Sequence, residues 1–499
     1  MSFISSYRCT RCRKQIPYDL KKRACPVCGS FLEIVYNLQT VKRVVTKRVL
    51  EKRNPGVWKY AELLPVIDSS NVISLGEGGT FLHKCDRLAK RYNLKSLYLK
   101  DETTNPTGSF IDRGTSVEVS VAKEQGFSSL CCGSTGNLAA SLVAYAARAG
   151  MKCNVFIAQT GNVDSGKFYQ ILAYGANVTV VKNHEIALER ANAEGVHSYV
   201  VDAYSTSFLE GVKTTVFEIC EQLMWNTPDW IIVPMGNGGH LSMVWKGLRE
   251  LQEIGILENI ETKIIGVQST GCAPIVEAFV SGIEDIIPTS GGATIALDIG
   301  ISNPSCGHTA LKAIRESGGL AMSVSDKEIL DSVSSIARLE GVFVEPASAT
   351  PVAALHQVIQ SKEIDSSDSV VCLVTGMGLK YPEIARILIK GQSKLEQLLS
   401  RVEDRKFTTQ LGRTKQQILH ILLKGESYGY GIWKSLHDEY GMSIKIPSVY
   451  QHLSELRTAG LIDQTRIENT YDNRKRAYYA LTKKGKNTVK QLSKLSLPS

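Results

Sequence analysis

Apolar residues in the middle of the chain form short β-branched runs: Val178-Thr179-Val180-Val181, Trp230-Ile231-Ile232-Val233, Ile264-Ile265-Gly266-Val267 and Val370-Val371-Cys372-Leu373-Val374. Helical stretches separate them. Apolar strands alternating with helices predict a parallel sheet buried on both faces, and so an α/β body from about residue 70 to 395. Residues 396–412 are polar, and beyond them the pattern changes. Ile418, Leu419, Leu422 and Leu423 recur at helical spacing, and Tyr428-Gly429-Tyr430-Gly431 turns into Ile432, Trp433 and Leu436. A third helix carries Val449, Leu453 and Leu456 as a buried stripe. It is predicted to begin at Ser448, with Gln451 completing a capping box. Its other face presents Tyr450, Gln451, Ser454 and Glu455. Leu461-Ile462 then opens a strand, a polar turn spans Glu468 to Asn473, and Arg474-Lys475-Arg476 leads the returning strand through Tyr478-Tyr479. Thr482 caps a last helix carrying Lys483, Lys484, Lys486 and Lys490.

Two helices, a recognition helix and a basic hairpin make the winged-helix plan for DNA, with a helix for the major groove and a cationic wing for the backbone. Such domains also serve protein contacts alone. Charge favours DNA: residues 1–60 carry 14 Lys and Arg against 3 Asp and Glu, residues 61–405 carry 28 against 39, and residues 406–499 carry 16 against 7. Basic ends around an acidic body point to a polyanion at the ends. Attraction between ends and body is the other reading. At 499 residues the chain exceeds what one core usually supports. No run approaches the ~20 apolar residues of a membrane span, and the N-terminus has no signal-peptide pattern, so a cytoplasmic protein without membrane contact is expected.

Four of the twelve cysteines are regularly spaced: Cys9-x2-Cys12 and Cys25-x2-Cys28. Each pair presents two sulfurs to one ion, and together they complete the closed tetrahedral shell of structural zinc. A full thiolate shell leaves no open position for catalysis. Arg8, Arg11, Arg13, Lys14, Lys21, Lys22 and Arg23 around it can meet nucleic acid or dock on the acidic body. The other eight cysteines read as small buried hydrophobes.

Three glycine-rich turns stand out in the body: Gly133-Ser134-Thr135-Gly136-Asn137, Pro234-Met235-Gly236-Asn237-Gly238-Gly239-His240 and Thr375-Gly376-Met377-Gly378-Leu379. A glycine loop between strand and helix suits a phosphate, or is simply a tight turn. With Leu99-Lys100-Asp101-Glu102, Asn105-Pro106-Thr107-Gly108-Ser109-Phe110, Asp112-Arg113-Gly114, Gly76-Glu77-Gly78-Gly79-Thr80, Gly211-Val212-Lys213-Thr214 and Val344-Glu345-Pro346-Ala347-Ser348, these motifs resemble threonine synthase and its fold type II pyridoxal-phosphate relatives. The ribbon resembles an N-terminal extension of that family. The resemblance implies two parallel-sheet α/β subdomains, with the cofactor phosphate on Gly236, Asn237, Gly238 and Gly239. It places the ring hydroxyl on Asn137, the pyridine nitrogen near Thr375, and a substrate carboxylate on Ser134 and Thr135.

One departure bears on mechanism. Where the family reads Ser-Phe-Lys-Asp-Arg-Gly, this chain has Ile111 in place of the lysine that binds the cofactor covalently and shuttles protons. An alkyl chain has neither nucleophile nor titratable proton. Lys100 is itself part of the family pattern and is no evident substitute. His240, Leu138, Met377 and Tyr381 also replace the family's usual Asn, Thr, His and Asp, which favours a naturally altered pocket over a single engineered change. Pyridoxal phosphate, if kept, is then expected to be bound noncovalently. Leu422 to Gly425, Tyr428-Gly429-Tyr430, Pro447 to Leu453 and Gly460-Leu461-Ile462 are similar to the PadR family of transcriptional regulators, whose DNA contacts would fall on Ser448, Tyr450, Gln451, Arg474, Lys475 and Arg476.

The expected domains are a zinc ribbon over 1–40, a threonine synthase-like body over 41–395, a linker over 396–412 and a winged helix over 413–499. The expected function is a homodimeric regulator that binds double-stranded DNA and whose former enzyme body senses a small ligand such as pyridoxal phosphate or an amino acid. The dimer would be held by the body, by the last helix through Val489, Leu492 and Leu495, or by both. The alternatives are a working threonine synthase, converting O-phosphohomoserine to threonine, with a regulatory tail, and a noncatalytic partner of an intact paralogue.

Overall fold

In the N-terminal ribbon, Ile4–Cys9 (β1) pairs antiparallel with Gln15–Ile16 (β2) and with Leu32–Tyr36 (β3). The computed structural model describes residues 3–19, 22–134, 136–158, 165–289, 292–388, 411–469 and 475–495. So small a sheet buries little by itself. Tyr7, Ile16, Leu32 and Ile34 instead join one apolar cluster with Val216, Phe217, Val244 and Leu248 of the body.

The body runs through Phe81–Lys84 (β4), Ser96–Asp101 (β5), Ser129–Gly133 (β6), Lys152–Ala158 (β7), Asn177–Val181 (β8), Tyr199–Val200 (β9), Trp230–Pro234 (β10), Lys263–Ser269 (β11), Leu320–Val324 (β12) and Ser369–Val374 (β13). Two sheets result. The larger has the order β12-β11-β10-β13-β5-β4, parallel except for the antiparallel edge strand β4; the smaller is the all-parallel β8-β7-β6-β9. These are the two parallel subdomains the motifs imply. The expectation of strands buried on both faces holds for β10, which is buried throughout, and fails for β8, whose Val180 is 60% exposed. As an edge strand, β8 has only one neighbour and less cover than a central one.

Helix Ile111–Glu124 crosses helix Thr206–Gln222 closely because glycines meet there. A Cβ on Gly211 would stand 2.2 Å from the Arg113 carbonyl oxygen, and one on Gly114 2.5 Å from the Phe208 ring. Beneath the crossing lies a buried ionic network. Arg113 donates to Glu102 at 2.6 and 2.8 Å and to Glu218 at 2.7 Å, and Lys100 reaches Glu218 at 2.7 Å and the Thr80 carbonyl at 2.8 Å. Breaking such a pair from one side typically costs about 3–5 kcal/mol. Lys100 is therefore engaged in holding the fold.

The chain divides into two compact units, Met1–Leu388 and Ile389–Ser499. The second unit packs helices Arg413–Leu423, Gly429–Asp438 and Ile446–Thr458 against a hairpin of Ile462–Asn469 (β15) and Lys475–Leu481 (β16), with Ser427–Tyr428 (β14) on the outer side of β16 and helix Lys483–Leu495 closing the core. Most of the expected linker, residues 396–410, lies outside the described residues, as does the wing tip, 470–474. Val449, Leu453 and Leu456 form the buried stripe, and Thr482 accepts from the Gly485 N–H at 3.0 Å as a helix cap.

Two expectations fail here. The third helix starts at Ile446 with no side-chain cap, so Ser448 and Gln451 form no capping box, and Gln451 donates instead to Glu455 at 3.1 Å. Pro447 explains this, since its fixed φ and missing N–H suit a first turn. Val489 is 1% exposed within the unit's own core and is unavailable as a dimer contact; the side chains of Leu492 and Leu495 lie outside the described residues.

Candidate functional site

The three glycine turns follow the C-terminal ends of β6, β10 and β13, where parallel sheets place their ligands. After β10, Gly236 to Gly239 run into helix Gly239–Glu253, whose N-terminus has no side-chain cap. Its first-turn N–H groups therefore suit an anion. The glycine positions have no room for a side chain: a Cβ on Gly236 would lie 2.9 Å from the Ile299 Cα, one on Gly238 2.8 Å from the Ala310 Cβ and 2.9 Å from the Cys306 carbonyl oxygen. Asn237 is fixed by the Cys306 N–H, which lies 3.1 Å from its carbonyl oxygen and 3.3 Å from its Oδ1.

His240, next on the helix, stacks on Phe110 with ring centres 4.4 Å apart and planes 10° from parallel. Burial lowers it to about 4, so at neutral pH it is uncharged. Its Nε2 lies 3.3 Å from the Thr215 hydroxyl, while Nδ1 has no partner among the described residues. Ile111, in the first turn of its helix, is 7% exposed and clusters with Phe208 and Val212, flanked by Phe110, Leu138, Ala203 and Leu209. Its neighbours in the motif are committed to structure. Asp112 accepts from the Thr107 N–H at 2.6 Å, the Thr107 hydroxyl at 2.7 Å and the Ser141 hydroxyl at 2.6 Å.

The polar side of the cleft is richer in charge than the motifs suggested. Asn137 donates to both oxygens of Glu345 at 3.2 Å and accepts from Lys380 at 2.8 Å. Lys167 binds Asp298 at 2.6 and 2.8 Å, lies 3.8 Å from Glu345, and stands 4.7 Å over the Tyr381 ring. Burial, reinforced by Asp298, raises Glu345 to about 7, whereas burial lowers the Lys380 amine. The Thr375 hydroxyl lies 2.9 Å from that of Ser348, and the Ser134 hydroxyl accepts from the Gly136 N–H at 3.2 Å. Thr135 lies outside the described residues. Sequence reasoning assigned no role to Lys167, Lys380 or Asp298. Lys380 directly follows the Thr375 loop and could have been found there; nothing in the sequence near Lys167 or Asp298 signals their pairing.

In the ribbon, the Sγ atoms of Cys9, Cys12, Cys25 and Cys28 all lie within 4.8 Å of one another, with Cys9 to Cys28 at 3.4 Å and Cys12 to Cys25 at 3.7 Å. A tetrahedral shell with Zn–S of about 2.3 Å sets its sulfurs roughly 3.8 Å apart, so the cluster fits zinc. Cys25→Ser is expected to abolish zinc retention in metal analysis and loosen the ribbon while cofactor binding survives; unchanged zinc content would refute the ligand set. The ribbon's arginines are paired: Arg8 and Arg13 share Glu33 within the ribbon, Arg11 pairs with Asp285 at 3.3 Å, and Arg23 donates to the Val200 carbonyl at 2.8 Å and covers Tyr199. Two of these cations, Arg11 and Arg23, thus reach the body.

In the second unit, Tyr450 and Gln451 are exposed on the third helix and Arg476 on the wing, 4.9 Å over the Tyr428 ring. Ser448 is half-buried. Arg474 and the side chain of Lys475 lie outside the described residues. No helix among the described residues is long and apolar enough to cross a membrane.

Residues 73–376 match the family described as pyridoxal-phosphate dependent enzyme, and residues 418–491 match the transcriptional regulator PadR-like family. Threonine synthase from Methanocaldococcus jannaschii is 45% identical over 381 residues, 76% of this chain and 93% of that protein. Threonine synthase from Methanosarcina acetivorans is 41% identical over 379 residues, 75% and 92%. An L-serine ammonia-lyase from Rhizomucor miehei shares the fold, with a TM-score of 0.53 at 23% identity, covering 60% of this chain and 93% of that one. The chain belongs to the pyridoxal-phosphate-dependent enzyme family, with threonine synthases among its relatives, and carries a PadR-like domain at its C-terminal end.

The residues present fit pyridoxal phosphate at its phosphate end, where a glycine loop runs into an uncapped helix start. At the other end, Asn137 is held between Glu345 and Lys380, Thr375 lies beside Ser348, and Ile111 offers no amine.

Proposed function

We propose that this protein is a homodimeric, DNA-binding transcriptional regulator whose threonine synthase-like body has lost its cofactor-linking lysine at Ile111 and senses a small ligand. The observation that carries this is the apolar setting of Ile111, packed with Phe208 and Val212 where a linking lysine would need a free amine. Pyridoxal phosphate supplies an electron sink for amino-acid chemistry when bound. Here Gly236, Asn237, Gly238 and Gly239 would hold its phosphate, Asn137 its ring hydroxyl and Thr375 its ring nitrogen, without a covalent bond. Ser134 and Thr135 would orient a ligand carboxylate. Zinc on Cys9, Cys12, Cys25 and Cys28 would hold the ribbon, taken as residues 1–40, against the body over 41–395. The module over 413–499, joined through the linker 396–412, would read DNA through Ser448, Tyr450, Gln451, Arg474, Lys475 and Arg476.

A second reading, favoured by 45% identity to a threonine synthase, is a working lyase with a regulatory tail. The cofactor's absorbance separates the two. Protein loaded with pyridoxal phosphate should show unlinked cofactor, all of it released on denaturation after borohydride treatment. Cofactor fixed to a lysine by borohydride would contradict noncovalent binding.

A further inference from the structure

The third helix of the second unit, Ile446–Thr458, turns Val449, Leu453 and Leu456 into the core. At about 100° per residue, the positions opposite that stripe are Pro447, Gln451, Ser454 and Thr458, and all four are exposed. Pro447 has no N–H to offer, and the Thr458 hydroxyl donates back to the Ser454 carbonyl at 3.0 Å. Gln451 is the one amide at the centre of this outward face. On the flanks, the Tyr450 ring packs on Gly429 and Arg457 reaches toward Gln464 at 3.4 Å.

The Gln451 amide is held from behind. Its Nε2 donates to Glu455 Oε1 at 3.1 Å, while Glu455 Oε2 meets Lys415 of the unit's first helix at 2.6 Å and lies 3.6 Å from the His452 Nδ1. An isolated exposed pair four residues apart orients a side chain only weakly. Here the carboxylate is tied to a second helix, and its side chain is only 40% exposed. Hydrogen bonds from Lys415 and then Gln451 keep the Glu455 carboxyl below the usual carboxylate range, so at neutral pH it is an acceptor alone.

That acceptor decides which way the amide faces. With its nitrogen toward Glu455, Gln451 keeps one N–H and its carbonyl oxygen for another partner, whereas the flipped amide would set oxygen against oxygen. A donor and an acceptor on one planar group match adenine, which shows the major groove an N7 acceptor and an N6 donor. Guanine shows two acceptors there, cytosine a donor, and thymine an acceptor beside a methyl group. Fixing the side chain before DNA arrives also removes part of the ordering cost of the contact.

We propose that Glu455, anchored on the first helix by Lys415, is a positioning residue that fixes the Gln451 amide to read an adenine. This deepens the DNA-binding reading and rests on it. Glu455 acts through Gln451 and not on the DNA itself.

Selection of random duplexes by the full chain at about 50 mM salt, with sequencing of the bound fraction, tests the assignment. The parent should enrich adenine at one position of each half-site by about tenfold or more, and Gln451→Ala should level that position. Glu455→Ala should cut the enrichment there by about threefold or more, with binding to unselected DNA no weaker than the parent's, because the charge removed is negative. Glu455→Gln, whose amide oxygen still accepts from Gln451, should recover most of it. A lesion that merely loosened the helix would not be rescued in this way. Placing 7-deazaadenine at the selected position removes the N7 acceptor and should weaken the parent severalfold, and Gln451→Ala or Glu455→Ala less. Parental enrichment in Glu455→Ala, another base at the position that Gln451→Ala levels, or no such position would each overturn the inference and leave DNA binding standing. A parent that binds no duplex would sink the regulator reading, and this inference with it.

Discussion

The full chain, supplied with pyridoxal phosphate and O-phosphohomoserine, is expected to release no measurable threonine. The family chemistry needs an amine that binds the cofactor and then moves protons on the substrate, and Ile111 does neither. A positioned acid or base alone is worth ~10²–10⁴ in rate, and loss of the covalent link compounds that deficit. Neighbouring lysines are engaged elsewhere: Lys100 with Glu218, Lys167 with Asp298, and Lys380 with Asn137. Ile111→Lys should restore an absorbance for linked cofactor but little turnover, because the stacked His240 and Phe110, Met377 and the Lys380 contact remain. Parent turnover near ~1 per second or faster, within the usual enzyme range, would show that another group does the work and would favour the lyase reading.

Replacing Arg474, Lys475 and Arg476 together by alanine is expected to weaken binding to all DNA sequences alike. Wing cations neutralise phosphates, so the slope of log affinity against log salt should flatten by up to about 3. Arg476 is exposed beside Tyr428, whereas Arg466 on the same hairpin pairs with Glu426 at 2.9 Å and Glu468 at 3.7 Å and has less charge to offer. A change at Gln451 should instead shift preference among sequences and leave nonspecific affinity nearly intact. Gln451 is the cleaner probe of the helix, because the Tyr450 ring packs on Gly429, where a Cβ would come within 2.4 Å of it. An unchanged salt slope in the triple variant would move the phosphate contacts off the wing.

What was legible in the sequence follows from what kind of signal each feature leaves. Continuous apolar runs gave β10, β11 and β13 their places in a parallel sheet, since a strand covered on both faces admits little else. The same rule misjudged β8, because strand order, which makes it an edge, is not written in one strand's residues. Cysteine spacing located the four sulfurs now within 4.8 Å of one another, because two-residue gaps bring thiols together locally. Long-range pairings left no such trace. Lys167 and Asp298 are 131 residues apart, and Lys380 and Asn137 are 243 apart, yet they set the charge of the cleft. Which of the ribbon's cations would reach the body, Arg11 and Arg23, was likewise not legible, since composition counts a cation the same whether it faces solvent or the body. Ser448 misled through a local rule that Pro447 overrode two residues earlier than expected.

The central claim, that this chain acts on DNA, is tested most directly by measuring binding of the full chain and of the 406–499 fragment to genomic DNA fragments at about 50 mM salt, where phosphate contacts are strongest. The fragment is a fair subject because the second unit has its own apolar core. Both should bind, with affinity falling steeply as salt rises, and the full chain should bind as a dimer with half-sites roughly one helical turn, ~34–36 Å, apart. If neither binds at that salt, the regulator reading fails and the winged helix is a protein-contact module.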